Sequence, residues 1–303
     1  MPKALITGAS GFVGPHLAQH LASLDYDVWG ASPKGSVAAA YRPIALDVRR
    51  SREVLRVIGE LAPDEVYHLA GVTRPASDNV SAFYDVNLYG TLHVLEAAKA
   101  VGARVLVVSS AYVYGRHDRA MTETTPLEPV NHYGASKAAG DLASIGYALN
   151  GLPVVRVRPF NHTGPGQSPD FVLPSLVQQL ARIEAGLKSP IIELGNLDSV
   201  RDFSDVRDIV RAYPLLLDKG RTGDVYNLST GQGTSIRELV GQLTALTDIP
   251  VKLVAEAARV RATDIPFLVG DASKLRELGW EPKCSLERTL LDMLMFERER
   301  LQS

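Results

Sequence analysis

Residues 7–14 read TGASGFVG, with the short apolar run Lys3 to Thr7 immediately before them and an amphipathic stretch near 12–24 immediately after. Glycines at 8, 11 and 14 in that setting spell a strand, a tight turn and a helix. Gly8 permits the turn, Gly11 lets backbone approach a pyrophosphate with no Cβ in the way, and Gly14 allows the helix to pack closely on the strand. The helix N-terminus then faces the anion. The stretch predicts a dinucleotide-binding loop, with Phe12 and Val13 lining it beside the three glycines.

Outward from that loop the first half of the chain keeps a βαβ rhythm. Candidate strands run from Lys3 to Thr7, Asp27 to Ala31, Arg42 to Leu46, Glu65 to Leu69, Arg104 to Ser109 and Pro153 to Arg158, with helices near 12–24, 51–61, 81–101 and 133–150. Near-continuous apolar strands imply a parallel sheet covered on both faces. The fold class expected is α/β, a doubly wound parallel sheet of Rossmann type. At 159–170 the rhythm breaks: PFNHTGPGQSPD carries three prolines and two glycines and reads as a functional loop that holds neither helix nor ladder. Beyond it, helices near 172–186, 205–218, 234–247 and 285–300 and strands near 190–194, 224–228 and 251–254 predict a smaller α+β substrate-binding lobe. The expected division is 1–158 for the dinucleotide and 159–303 for the substrate, with some later segments returning to the first sheet.

Composition narrows the function. The 303 residues carry 32 basic and 34 acidic side chains, a formal charge of −2, and 46% apolar residues. With no basic excess, neither nucleic acid nor an anionic membrane is an expected partner. One cysteine, Cys284, makes no intramolecular disulfide and suits a reducing compartment. The N-terminal apolar run stops at a glycine turn instead of continuing as a signal segment, and no apolar stretch approaches membrane-spanning length, about 18 residues. A cytoplasmic location is the expectation.

In an NAD-selective site an acidic residue ends the second strand. Here VWGASPKG occupies residues 28–35: Asp25 and Asp27 come too early, whereas Ser32 and Lys34 offer a hydroxyl and a cation suited to a 2′-phosphate. NADP(H) is therefore expected over NAD(H). Asp47 could bond an adenine amino group, with Val48, Leu69 and Ala70 along the same cofactor surface. Tyr133 and Lys137, in YGASK, lie one turn apart on a helix face. The strand ending in VVSSAYVYG brings Ser110 to the carboxyl edge of the sheet, where ligands collect. Reduction of a carbonyl needs a proton donor and a second donor to polarise the oxygen. Tyr133 supplies the first, Ser110 the second, and the Lys137 ammonium is placed to draw the phenol toward neutrality. His16 and His20 share a helix face but lack a third ligand, so no metal is expected. His162 reads as a loop donor outside the catalytic set.

TGASGFVG, HLAG, DVNLYGT, VVSSAYVYG and YGASK, in this order and spacing, resemble the extended short-chain dehydrogenase/reductases that act on nucleotide sugars. The resemblance covers nearly the whole chain. It implies a Ser110, Tyr133 and Lys137 triad, Asn87 in support beside the cofactor, and a homodimer paired through the helices near 81–101 and 133–150. Related 4,6-dehydratases carry an acid pair after the active-site hydroxyl; Ser110, Ala111 and Tyr112 stand there instead, and neither Ala111 nor Tyr112 replaces a carboxylate base near neutral pH. RPFNHTGPGQ, GNLDSVRDFSDVRD and DIPFLVGDASKLRELGW are similar to the GDP-mannose dehydratase and GDP-4-keto-6-deoxymannose reductase branch. That likeness implies a GDP-sugar substrate and a 4-ketoreductase, with Asn161 and Arg201 toward the diphosphate and Arg261 and Asp264 toward phosphate or ribose. A 4-epimerase with tightly held NAD and a non-catalytic cofactor sensor or scaffold are the alternatives.

Overall fold

A computed structural model describes residues 1–36, 39–73, 79–255 and 265–302. Arg261 and Asp264 lie outside the described residues. The first half contains β1 (Lys3–Thr7), α1 (Val13–Ala22), β2 (Asp27–Ser32), β3 (Arg42–Ala45), α2 (Ser51–Leu61) and β4 (Glu65–His68). Helix α3 (Val80–Tyr84) then runs through a π-type turn, Asp85–Gly90, into α4 (Thr91–Val101). Strand β5 (Arg104–Val108) leads through a 3₁₀ turn, Ala111–Val113, to α5 (His132–Leu149) and β6 (Val154–Pro159).

These strands form one parallel sheet in the order β3-β2-β1-β4-β5-β6, extended by β10 (Val225–Leu228) from the second half of the chain. The doubly wound α/β fold expected from the sequence is the fold found. Successive strand residues alternate between the two faces. Ala4 and Ile6 join Leu17, Leu21, Ile209, Tyr213 and Leu216 in one buried cluster, while Leu5 joins Val54, Ile58, Val94 and Leu95 in another. Both faces are thus covered, which is why the strands read as apolar runs. The strand order reverses between β1 and β4, and the crevice over that point is where such sheets bind ligands.

The second half adds β7 (Asn161–Thr163), α6 (Val172–Glu184), β8 (Ile191–Leu194), β9 (Val200–Asp205), α7 (Val206–Lys219), β11 (Gly233–Ser235), α8 (Ile236–Thr244), β12 (Lys252–Ala255), β13 (Phe267–Leu268), α9 (Ser273–Arg276) and α10 (Leu286–Gln302). Its own core gathers Leu176, Leu180, Leu239, Leu290 and Leu294. Helix α7 packs on the large sheet, and its residues Ile209, Tyr213 and Leu216 belong to that sheet's core.

Two local expectations are corrected. The 159–170 segment does hold a ladder: β7 pairs with β9 through Asn161, His162 and Thr163. Strand β9 itself, central to a four-stranded sheet with β11, β13 and β7, is too polar to read as a strand. Its charged residues are buried because each finds partners. Asp202 accepts from the Thr230 amide and hydroxyl (2.9 and 2.6 Å) and from the Gly231 amide (2.9 Å). Asp205 caps α7 by accepting from the Arg207 amide (2.7 Å) and also takes the Thr289 hydroxyl (2.7 Å).

Candidate active site

The loop after β1 has the shape its glycines imply. Gly8 sits at φ +70°, and a Cβ there would lie 2.7 Å from Ala70 backbone. A Cβ on Gly14 would fall 2.2 Å from the Ala9 carbonyl, so only glycine lets α1 come this close. At Gly11 the sole near atom is the Gly8 carbonyl oxygen, 3.3 Å away, which leaves the outer side open. Phe12 begins α1 without a side-chain cap and no acid occupies its first turn, so its amides face outward for an anion.

At the end of β2 no carboxylate appears. Asp27 starts that strand, accepts from the Trp29 indole (3.2 Å) and pairs with Arg42 (3.4 Å) at the far end of the sheet. Ser32 ends it, buried, with its Oγ accepting from the Ser36 amide (2.9 Å), and Lys34 is exposed just beyond. Asp47 is held in a fork by Arg49 (2.7–3.1 Å), which keeps its carboxyl below the usual range. Val48 accepts from His93 through its carbonyl (2.8 Å), and Leu69 and Ala70 follow β4, half-buried. An open glycine cradle, an uncapped helix end and an acid-free strand end fit a dinucleotide with a 2′-phosphate.

The predicted trio converges. Ser110 leaves β5 and caps the 3₁₀ turn, its Oγ accepting from the Tyr112 amide (3.3 Å) while hydrogen-bonding to the Tyr133 hydroxyl. Tyr133 occupies the first turn of α5, which starts where the Asn131 side chain accepts from the Gly134 amide (2.8 Å). One turn on, Lys137 is buried and donates from Nζ to the Val108 carbonyl at the end of β5 (2.8 Å).

The electrostatics differ from expectation. Burial pushes the Tyr133 phenol up to about 12, partly offset by its bond with Ser110, with Tyr112 raising it a little further. Burial lowers Lys137 itself to about 8, with Asp141 acting against it. A buried ammonium is easily deprotonated, while a buried phenol keeps its proton.

Asn87 lies in the π-type turn beside Lys137. Its Oδ1 accepts from the Val72 amide (2.9 Å), and its Nδ2 donates to the Val72 carbonyl (3.1 Å) and Ser136 Oγ (2.9 Å). A Cβ on Gly71 would lie 3.1 Å from both Asn87 Oδ1 and Lys137 Nζ, so Gly71, Asn87 and Lys137 form one wall. Sequence reasoning missed what anchors α5. Asp141, one turn past Lys137, accepts from Arg156 Nη1 (2.6 Å) and Arg158 Nε (2.7 Å) of β6, all three buried. Arg158 also donates to the Tyr114 hydroxyl (3.0 Å), which in turn donates to Asn227 of β10 (2.6 Å).

From the second lobe, Asn161 presents a buried Oδ1 with no protein partner. His162 lies parallel to Phe12 of the glycine loop (8°, centroids 6.4 Å apart), and its Nδ1 donates to the Phe160 carbonyl (3.1 Å). Arg201 is buried in β9 and donates to the carbonyls of Val200 (2.9 Å) and Pro266 (3.5 Å). Among the described residues no group of three or more His, Cys, Asp or Glu could hold a metal, and no helix is long and apolar enough to cross a membrane.

Residues 5–293 match the profile of the GDP-mannose 4,6 dehydratase family. The chain belongs to that family. Within the GDP-mannose 4,6 dehydratase family it is 35% identical over 301 residues to the GDP-6-deoxy-D-mannose reductase of Pseudomonas aeruginosa, an alignment spanning 96% of each chain. It is 32% identical over 303 residues to the GDP-6-deoxy-D-talose 4-dehydrogenase of Aggregatibacter actinomycetemcomitans, spanning 98% of each. A solved structure of RMD from Pseudomonas aeruginosa complexed with NADPH superimposes with a TM-score of 0.88 at 32% identity, covering 99% of this chain and 100% of that one. The resemblance read from the motifs is thereby borne out. The family is named for a dehydratase, yet the two positions after Ser110 hold Ala111 and Tyr112, and the Tyr112 ring stands edge-on to Tyr133 (65°, 5.7 Å between centroids).

Proposed function

We propose that the protein reduces the C4 ketone of GDP-4-dehydro-6-deoxy-D-mannose with NADPH, forming GDP-6-deoxy-D-mannose (GDP-D-rhamnose). The observation that carries this reading is Tyr133, hydrogen-bonded to Ser110 one turn from buried Lys137, where the next two positions offer Ala111 and Tyr112 in place of a carboxylate base. The likeness to the Pseudomonas aeruginosa reductase over nearly the full length of both chains supports the substrate.

Bound NADPH supplies the hydride. Ser110 donates a hydrogen bond to the ketone oxygen and so favours the charge that develops there. Tyr133 gives its proton to that oxygen: burial keeps the phenol protonated at working pH, and a phenol is a far stronger acid than the alcohol it makes. Lys137 stabilises the phenolate left behind, and Asn87 holds the wall against which the lysine is fixed. Gly8, Gly11, Phe12, Val13 and Gly14 hold the pyrophosphate, Ser32 and Lys34 the 2′-phosphate, and Asp47, Val48, Leu69 and Ala70 the adenosine end. Asn161 and Arg201 contact the nucleotide sugar, with Arg261 and Asp264 assigned to it on sequence alone.

Two copies pair through the helices near 81–101 and 133–150, where Tyr89 (53%) on the first and Leu142 (51%) and Leu149 (82%) on the second are exposed. The lone Cys284 is consistent with a cytoplasmic setting. The test is stoichiometric NADPH oxidation on a GDP-4-keto-6-deoxy sugar, with thermal shifts for GDP, UDP and dTDP run in parallel. No oxidation, or interconversion of two alcohols without net redox change, rejects the reading. A larger shift with UDP or dTDP rejects the nucleotide.

A further inference from the structure

His68 ends β4, buried, between β1 and α4. Its Nδ1 is 2.8 Å from Thr7 Oγ1 and its Nε2 is 3.0 Å from Thr91 Oγ1. The Thr91 hydroxyl donates to the Asn87 carbonyl (2.8 Å), while the Thr91 amide goes to Leu88. Thr7 Oγ1 accepts from the Ala70 amide (3.3 Å).

These contacts admit one consistent proton arrangement. A carbonyl only accepts, so the single Thr91 proton points at Asn87 and Thr91 Oγ1 must accept from His68. Nε2 therefore carries the ring proton, Nδ1 accepts, and the Thr7 proton points at Nδ1. Every group is then used once, from the Ala70 amide on the cofactor side to the Asn87 carbonyl on the Lys137 side. A second ring proton would set two donors against each other at Thr7. Burial, helped by the charged neighbour Lys137 of α5, lowers His68 to about 3, so the ring stays neutral.

We propose that His68 is a positioning residue of the active site: as the Nε2–H tautomer it fixes, through the Thr91 hydroxyl, the carbonyl of Asn87 and so the turn that faces Lys137. The side chain and backbone of Asn87 are thus held by separate sets of partners. Val72 and Ser136 hold the amide, and the Thr7–His68–Thr91 chain ties the backbone to the sheet. Gly140 of α5 completes the arrangement, because a Cβ there would lie 2.5 Å from the Asn87 carbonyl oxygen.

The inference rests on the reduction assigned above, and its test separates the two. Thr91→Val removes one hydroxyl at nearly constant shape, and Thr91→Ser restores it. In steady-state assays Thr91→Val is expected to lower kcat about tenfold, leave KM within about twofold, and move the alkaline limb of kcat/KM by about 0.5 pH unit or more; Thr91→Ser recovers most of the loss. Independently of turnover, ring ¹⁵N spectra of the unliganded protein report the His68 tautomer, and amide spectra report Asn87. The expected results are Nε2–H for His68 across pH 6–9 and displaced Asn87 signals in Thr91→Val. An Nδ1–H ring, or Asn87 signals unmoved in Thr91→Val, overturns the proposal even where the wild type fails to oxidise NADPH. Unchanged kcat and pH profile in Thr91→Val overturn it where the wild type turns over.

Discussion

Replacing Gly140 by alanine tests whether the closeness of α5 to the Asn87 turn matters to the chemistry. The added Cβ would lie 2.5 Å from the Asn87 carbonyl oxygen and 3.3 Å from Thr91 Oγ1. The first of these is backbone, so the helix or the turn must yield by about 0.5–1 Å, and overpacking of this kind costs about 1–3 kcal/mol. Exchanging glycine for alanine inside a helix returns up to about 1 kcal/mol. The net loss of stability is then about 0–3 kcal/mol, small enough for the protein to remain folded. The helix that moves carries Tyr133 and Lys137, and a displacement near 1 Å at such groups can lower the rate about 100-fold. Gly59→Ala in α2 is the matched control, since nothing lies within 4 Å of its Cβ. Urea unfolding gives both stabilities, and loss of NADPH absorbance gives both rates. The expected pattern is a slightly destabilised, about 100-fold slower Gly140→Ala beside a Gly59→Ala of wild-type rate and equal or greater stability. Wild-type kcat in Gly140→Ala would refute the reasoning.

Three further outcomes follow from the same geometry. Lys137 is lowered to about 8 and needs its proton to act, so kcat/KM should fall as pH rises through about 8 and show no limb from Tyr133 in the working range; a flat profile to pH 10 contradicts this. Asp141→Asn leaves two buried guanidiniums without their counter-ion and should cost about 3–5 kcal/mol in chemical denaturation, a value under 1 kcal/mol counting against the clamp. Ser32→Asp places a carboxylate at the end of β2 and should raise the NADPH KM at least tenfold while sparing NADH, and equal effects on the two cofactors would dismiss Ser32 as the 2′-phosphate contact.

Much of this site was legible because its signals are local. A turn that needs φ +70°, a helix that must approach Ala9 and a pair one turn apart on α5 are each written in a few neighbouring residues. The parts that were not legible depend on tertiary partners. Strand β9 hides behind its own polarity, since Asp202 looks like a surface residue until Thr230 and Gly231 arrive from another segment. The π-type turn at Asn87 has no periodicity to announce it, and His68 becomes informative only when Thr7 and Thr91 flank it from two other elements. Tyr133 went the other way from expectation because burial, a property of the whole fold, is the largest influence on its phenol.

The path of the chain after β6 bears on how such an enzyme can be taken apart. Strand β10 completes the large sheet at the β6 edge, and α7 covers one of its faces, although both are encoded after residue 200. A polypeptide ended at Arg158 would leave the β6 edge unpaired and strip Ile6, Tyr67 and Leu106 of Ile209, Tyr213 and Leu216, inviting strand-to-strand aggregation. The two halves of the chain are therefore not exchangeable cassettes: grafting a foreign second half onto this first half also replaces part of the large sheet and its cover, so specificity is better altered by point changes than by recombination at residue 158.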